Sequence, residues 1–498
     1  MEIGDLLRRA AARFGDAPAI TCGERTLSFR DFDSATDRLG NALLRSGLRP
    51  GERVGVLMPN GVDGLLAYYA LAKAGLVRVS LTVRDTAEDH AFRLADSGCR
   101  ALIAERAAPA AELEMFFGPD DIARLMADEP EGRCEVPRDA EAPYRLGYTG
   151  GTTGTPKAVT LSLRSEHAEI TNYLLDLVPD IAPGDVMVHA APVTHASGSF
   201  FLPHLIRGAH NVVLPSFQPG LLLEELERRR AATTFLVPTM LAMVLDEPNV
   251  ADVRLPALRR LCYGASPIAP SVAARAQEVL GPVLAQTYGQ SEAPMTISLL
   301  RPDEHDRVGS AGRPYTMVEV RVVDGDDREV PPGESGEVVA RGQILMSGYW
   351  NRPEETARTL RGGWLHTGDI GRFDDDGYLY LLDRRNDVII SGGFNVYPRE
   401  VEDILLGHPQ VREAAVVGIP DDRWGEVVQA VVSTRGPVDP AEVLEWSRPL
   451  LAGYKRPRAL YVRDDLPKSP AGKILRRTVR DELLAGRTDG QPTPDGGE

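Results

Sequence analysis

The sequence predicts an α/β protein in two unequal parts. The larger is an N-terminal domain of layered α/β subdomains with a β-rich subdomain, and the smaller is a mobile α+β C-terminal domain. Three observations carry this. Short apolar strands alternate with helical segments through the first half of the chain. After about Gly309 the pattern changes to brief β segments separated by turns. After Asp383 a fresh strand–helix unit begins. A chain of 498 residues has room for several domains with cores of their own.

Leu6, Leu7, Ala10 and Phe14 fall at helical spacing, and a short strand pair follows around 19–22 and 26–28. Residues 31–44 read as an amphipathic helix. The stretch 53–58 reads as a buried strand that opens onto Pro59-Asn60-Gly61 and a helix over 63–74. Strand and helix then alternate through 77–81, 88–97, 101–104, 185–190, 211–214, 221–230, 233–236 and 258–263, which predicts parallel layers. The later β segments lie at 318–323, 336–341 and 378–382. The last unit has strands at 388–390, 414–419 and 427–433 and helices at 398–407 and 440–450. These shifts divide the chain into residues 1–383, a hinge at 384–387, and a domain at 388–485. The tail 486–498, rich in Gly, Pro and Asp, is expected to be disordered.

With 56 basic against 72 acidic residues the net charge is −16, which excludes a general binder of nucleic acid or anionic membranes. Only five of the basic residues are lysines: Lys73, Lys157, Lys455, Lys468 and Lys473. In a chain so biased to arginine, the remaining lysines are candidates for chemistry that needs a compact ammonium. The four cysteines are scattered with no metal-ligand spacing, as expected of reduced thiols in a cytoplasmic protein. No stretch reads as a membrane span or secretion signal.

One segment concentrates three glycines and four threonines in ten positions: Tyr148-Thr-Gly-Gly-Thr-Thr-Gly-Thr-Pro-Lys157. Backbone N–H groups of such a loop can converge on an anion, with Lys157 adding a point charge. Its spacing is not that of a Walker loop. Further along lie Pro192-Val-Thr-His195-Ala-Ser-Gly198, Gly264-Ala265-Ser266-Pro267, Gln286-Thr-Tyr-Gly-Gln-Ser-Glu292, Trp364-Leu-His-Thr-Gly-Asp369, Asp383-Arg384, Ser391-Gly-Gly-Phe-Asn395 and Pro467-Lys-Ser-Pro-Ala-Gly-Lys473. Each alone reads as a turn or a solvated polar group.

Together and in this order, the motifs resemble those of the adenylate-forming superfamily: acyl- and aryl-CoA synthetases, peptide-synthetase adenylation domains and luciferases. The resemblance covers about residues 5–480 and implies an AMP-forming ligase that uses ATP, Mg2+ and a thiol acceptor, CoA first. It implies that Thr149, Gly150, Gly151, Thr152, Thr153, Gly154 and Lys157 form the phosphate loop. Gly264, Ala265 and Ser266 would lie against adenine, where missing side chains permit close approach. From the Gln286, Thr287, Tyr288 and Gly289 run, Tyr288 would pack on adenine. Ser291 would contact the α-phosphate and Glu292 would hold Mg2+. Asp369 would accept from the ribose hydroxyls, and Arg384 would reach the nucleotide. Asn386 occupies the hinge position, and Gly392, Gly393 and Asn395 border the thiol path. His195 would border the acyl pocket. Lys473 would stabilise charge that builds as a carboxylate attacks the α-phosphate.

The chain departs from the family pattern at four positions. Gly150 stands where Ser is common, Ala158 where Gly is usual, Thr287 where a small Gly is frequent, and Asn386 where Asp or Lys predominates. These read as tuning. Residues 194–201 hold no acid to pair an α-ammonium, which argues against an α-amino acid substrate. The implied pocket walls (His195, Ser199, Phe235, Met240, Ala265, Thr287 and Ala293) are mostly neutral and favour an aryl or short-to-medium acyl acid. An acyl carrier protein or an amine as acceptor, nitrite activation for diazo formation, and a non-catalytic relative stay open as alternatives. A monomer or homodimer is expected.

Overall fold

The computed structural model describes residues 1–106, 113–129, 132–149, 156–468, 474–486 and 493–494. Its first layer is a seven-stranded sheet built on Arg53–Leu57, which pairs in parallel with Val77–Ser80 on one side and Cys99–Ala104 on the other. Pro143–Thr149 extends it in parallel, and Lys157–Ser162 then turns back antiparallel. In sequence these two strands flank the Gly/Thr segment. The helix Val62–Lys73 has an apolar surface on all sides and is buried along nearly its whole length, as a helix caught between layers must be.

The second layer is a thirteen-stranded path. Its parallel part runs through Pro18–Cys22, His210–Val213, Val186–His189, Thr233–Leu236, Arg260–Gly264 and Leu284–Gln290. From the hairpin Leu284–Gln290/Ala293–Leu300 onward the pairing is antiparallel. The β segments after Gly309 therefore continue this path through Ser310–Pro314, Leu379–Arg384, Leu365–Phe373, Gly336–Gly342 and Val318–Val323. Asn60 joins the two layers: its amide donates to Ala191 O and Leu214 O, both 3.2 Å, and accepts from Val193 N at 2.9 Å. That contact anchors the chain two residues before His195.

The C-terminal unit has a six-stranded sheet with Val411–Asp421 and Gly425–Thr434 as its long central pair. Helix Pro398–Leu405 buries Val401 and Leu405 in a core of its own with Ile389, Val416 and Val428. The 440–450 helix is shorter than its apolar pattern: it ends at Ser447, and with Pro449 two residues on the last turn tightens to a 3-10 turn at Arg448–Leu450. Of the tail, Gly486 and Thr493–Pro494 are described, the latter pairing with Ala459–Arg463. No helix among the described residues is long and apolar enough to cross a membrane.

Candidate functional site

The site is organised by the hairpin Leu284–Gln290/Ala293–Leu300. A Cβ at Gly289 would collide with the backbone N of Met295, and one at Gly264 with the carbonyl of Thr287. Both glycines are therefore needed for strands to approach so closely. Ala265 follows with φ +67, a left-handed conformation that an alanine adopts only under constraint, and it is exposed beside Ser266. Gln286 accepts from the Tyr263 hydroxyl at 2.9 Å.

On the strand that enters the hairpin's turn, the Tyr288 hydroxyl and the Gln290 amide both donate to Asp369 Oδ2 at 2.6 Å. Arg384 Nε lies 3.0 Å from the other oxygen, Oδ1. Asp369 and Tyr288 are buried. Burial, reinforced by the Asp369 charge, pushes the Tyr288 phenol well up, so it stays a proton donor. Gln290 was not among the residues singled out from the motif, although it lies inside it.

In the turn itself, Glu292 Oε1 accepts from the Tyr349 hydroxyl at 2.7 Å. The Lys157 ammonium sits 5.0 Å from the centroid of the same ring. Three backbone bonds fix this arrangement. Met346 N donates to Glu292 O (2.8 Å), Ser347 N to Thr160 O (2.9 Å) and Trp350 N to Ala158 O (2.8 Å). Residues 346–350 thus strap the phosphate-loop strand to the metal-site candidate. Ala158, one of the departures, is buried beneath them. Tyr349 escaped the motif reading; an aromatic in Gly348-Tyr-Trp350 was its one signal. Thr149 lies opposite Lys157 in register. Gly150, Gly151, Thr152, Thr153 and Gly154 fall outside the described residues, as does Lys473.

His195 caps the short helix Ala196–Ser199 and opens onto solvent, with Nδ1 2.7 Å from Thr194 Oγ1. The protein atoms crowding it hold its pKa below the usual imidazole value. Asp85 opposes that shift, and Arg93 and Arg84 add to it. A Cβ at Gly198 would strike the Val193 carbonyl, so the chain turns tightly here. Of the proposed acyl walls, Phe235, Met240, Thr287 and Ala293 are buried, while His195, Ser199 and Ala265 are accessible. The Thr287 hydroxyl is buried without a hydrogen-bond partner.

The neutral wall has an acid behind it. Glu169, on helix Leu163–Asn172, is buried against the Ser199 hydroxyl and pairs with Arg145 at 2.9 Å. No local segment reading could find it, because it comes from a different element.

Asp383 receives Arg384 N, Arg399 N and the Arg476 guanidinium at 2.7, 2.8 and 2.6 Å. Arg476 also reaches Asp387 and Glu402, at 3.2 and 2.5 Å. Asn386 is exposed in the turn between them. Gly392 and Gly393 have φ of +59 and +83 in an exposed hairpin turn with Asn395, and a Cβ on Gly392 would meet the Trp424 ring. Of the other lysines, Lys73 is buried between Asp33 (2.6 Å) and Asp37 (2.9 Å), and Lys455 pairs with Glu400.

Comparison with known proteins agrees in extent. The family model for AMP-binding enzyme matches residues 7–350, and that for the AMP-binding enzyme C-terminal domain matches 400–473. A feruloyl-CoA synthase of Amycolatopsis sp is 38% identical over 482 residues, covering 95% of this chain and 97% of its own. A fatty acid–[acyl-carrier-protein] ligase, ScoC, of Streptomyces coeruleorubidus is 36% identical, covering 94% and 93%. Among solved structures, the amide bond synthetase McbA from Marinactinospora thermotolerans superposes with a TM-score of 0.89 at 33% identity, covering 97% of this chain and 99% of that one.

Proposed function

Because this chain belongs to the AMP-binding enzyme family, the adenylate-forming ligases, we propose that it activates a carboxylic acid as acyl-AMP and passes the acyl group to the thiol of CoA. The observation that carries this reading is the single hairpin that holds Tyr288 on Asp369 and Glu292 on Tyr349, with Lys157 over the same ring. One rigid element thereby sets a ribose-accepting carboxylate and a phosphate-facing cation and carboxylate in fixed relation.

In the first step the acid's carboxylate oxygen attacks the α-phosphorus of ATP, and the bond to pyrophosphate breaks. Asp369 accepts from the ribose hydroxyls, Arg384 approaches the nucleotide, and Lys157 with the 150–154 backbone holds phosphate oxygens. Lys473 stabilises the charge that develops on the α-phosphate. Glu292 is the carboxylate that would hold Mg2+, which offsets phosphate charge when bound. The donor suits that ion: Glu292 is a hard-oxygen carboxylate held in place by the Tyr349 hydroxyl. One carboxylate plus substrate phosphates is how Mg2+ is commonly held.

In the second step the thiol attacks the acyl carbonyl and AMP leaves. The division into 1–383 and 388–485 serves both steps if the smaller domain turns about 384–387, withdrawing Lys473 and presenting Gly392, Gly393 and Asn395. The CoA-synthase relative favours CoA. The carrier-protein ligase relative makes a carrier-bound thiol the nearest variant, and the amide bond synthetase supports an amine as a second reading. AMP release measured with each acceptor separates them.

The test is Lys473→Ala. Pyrophosphate exchange is expected to vanish while thioester formation from preformed acyl-AMP persists. Exchange at the wild-type rate overturns the reading.

A further inference from the structure

Behind the accessible face of Ser199 the protein core is polar where hydrocarbon is expected. Glu169 Oε1, Asn172 Oδ1, and the hydroxyls of Tyr173 and Tyr315 are all buried, and none has a hydrogen-bond partner. Buried polar groups are nearly always paired, so four orphans in one neighbourhood are out of the ordinary. Elsewhere among the described residues such atoms are chiefly guanidinium nitrogens, and those of Arg8, Arg93 and Arg138 belong to side chains with another nitrogen engaged.

These atoms belong together. The Glu169 charge is felt at both Tyr173 and Tyr315, and Ser199 lies against Glu169 and Tyr173 alike. Asn172 donates to Thr296 Oγ1 at 3.1 Å, which leaves its carbonyl oxygen free and fixes the helix end to the strand Ala293–Leu300. The edge of Tyr173 meets Phe200 at 4.7 Å between centroids, and Phe200 meets Phe235 at 5.4 Å. The cluster is therefore one ring away from a proposed acyl wall, and Ser199, one turn on from His195, is its accessible member.

The charges are also uneven. Arg145 faces two carboxylates, Glu166 at 3.1 Å and Glu169 at 2.9 Å. One guanidinium offsets one of them, so burial raises Glu169 to about 7 in spite of Arg145. A donor brought to the free oxygen of Glu169 would satisfy it.

Resting on the adenylation reading above, we infer that the acid this enzyme selects carries a hydrogen-bonding group, an amine or a hydroxyl, at the end remote from its carboxylate. Ser199, Glu169 and Tyr173 receive that group. Glu169 accepts its N–H or O–H, and where the group is a hydroxyl the Tyr173 hydroxyl also donates to its lone pair. A plain hydrocarbon end would leave these groups unpaired, the situation in which a site built for polar contact discriminates most strongly. Residues 194–201 carry no acid, yet the fold delivers one to their rear from residue 169.

Pyrophosphate exchange with matched acids tests this. Cinnamate is compared with its ring-hydroxy and ring-amino derivatives, and octanoate with its ω-hydroxy and ω-amino forms. The wild type is expected to favour the polar member of at least one pair by about tenfold or more in kcat/KM. Glu169→Gln and Tyr173→Phe are expected to collapse that ratio toward one. Wild-type preference for the plain member of both pairs overturns the inference, and so does a ratio unmoved in both variants. If one variant fails to fold, the other and the wild-type ratio still decide. Exchange with none of the acids would instead count against the adenylation reading.

Discussion

Tyr349 donates its hydroxyl to Glu292 Oε1 over 2.7 Å and offers its ring to the Lys157 ammonium 5.0 Å away. One side chain thus holds a carboxylate and a cation that must both face the phosphates. Burial and the adjacent Glu292 charge push its phenol up, so it remains a donor across the working pH range. Tyr349→Phe keeps the ring and loses the bond. A hydrogen bond to a charged group contributes about 1.5–3 kcal/mol. The apparent KM for Mg2+ in pyrophosphate exchange should therefore rise about tenfold, with a smaller change in kcat. Tyr349→Leu, which also removes the ring, should weaken ATP binding further. Mg2+ titrations superimposable on the wild type would show that Tyr349 has no positioning role.

Asp369 is buried with three partners on its two oxygens: Tyr288, Gln290 and Arg384. Asp369→Asn cannot satisfy two donors at one oxygen and Arg384 at the other with a neutral amide. Thermal denaturation should show a loss of about 1–3 kcal/mol, and the stabilising shift given by ATP should disappear. A variant that melts with the wild type and still responds to ATP would contradict this arrangement.

The fold and the site were legible to different degrees. The parallel strands could be read because strands covered on both faces are nearly continuous apolar runs, such as Val186–His189. The pairing of Pro18–Cys22 with His210–Val213 could not, since nothing local specifies a partner so distant. Within the site, Tyr288, Glu292 and Asp369 were visible because their motifs are contiguous. Tyr349 meets Glu292 from 57 positions away, and only the strap at 346–350 brings it there. Glu169 was hidden differently. An acid on a helix normally marks the solvent face, and its burial is explained only by Arg145 on a neighbouring strand. Lys73, rare but unassigned in the sequence, proves to be a buried ion-pair partner of Asp33 and Asp37.

Arg476 stands three residues after Lys473 and contacts Asp383, Asp387 and Glu402 on both sides of Asn386. The helix that follows the catalytic-loop candidate in sequence is thereby tied to the hinge candidate through one guanidinium. Removing it leaves the Asp383 carboxylate buried with only backbone donors, a change that costs about 3–5 kcal/mol for a buried pair. Arg476→Ala should lower the melting temperature and slow exchange. Arg476→Lys should recover little, because a single ammonium cannot span three carboxylates as a fork does. Full activity and stability in Arg476→Lys would refute a fork-dependent role.

Acid should destabilise the protein well above the carboxylate range. Burial holds His189 and His210 at about 4 and His204 at about 3, and it lowers His195 and His305 as well. Unfolded, each would titrate near 6.5. Between these values the unfolded chain binds protons that the native chain refuses, so stability falls as pH drops from about 6.5 toward 4. Glu169, raised to about 7, and Asp403, raised to about 6, act in the opposite sense, since they take up protons in the native state first. The histidines outnumber them. Each net proton is worth about 1.4 kcal/mol per pH unit, so urea unfolding at pH 7, 6 and 5 should give a free energy that declines by at least that much per unit near pH 5. Asn211 Oδ1 lies 2.9 Å from His189 Nε2, a contact that suits the neutral ring donating its proton. A profile that is flat or rises toward pH 5 would mean that these histidines are protonated in the native fold.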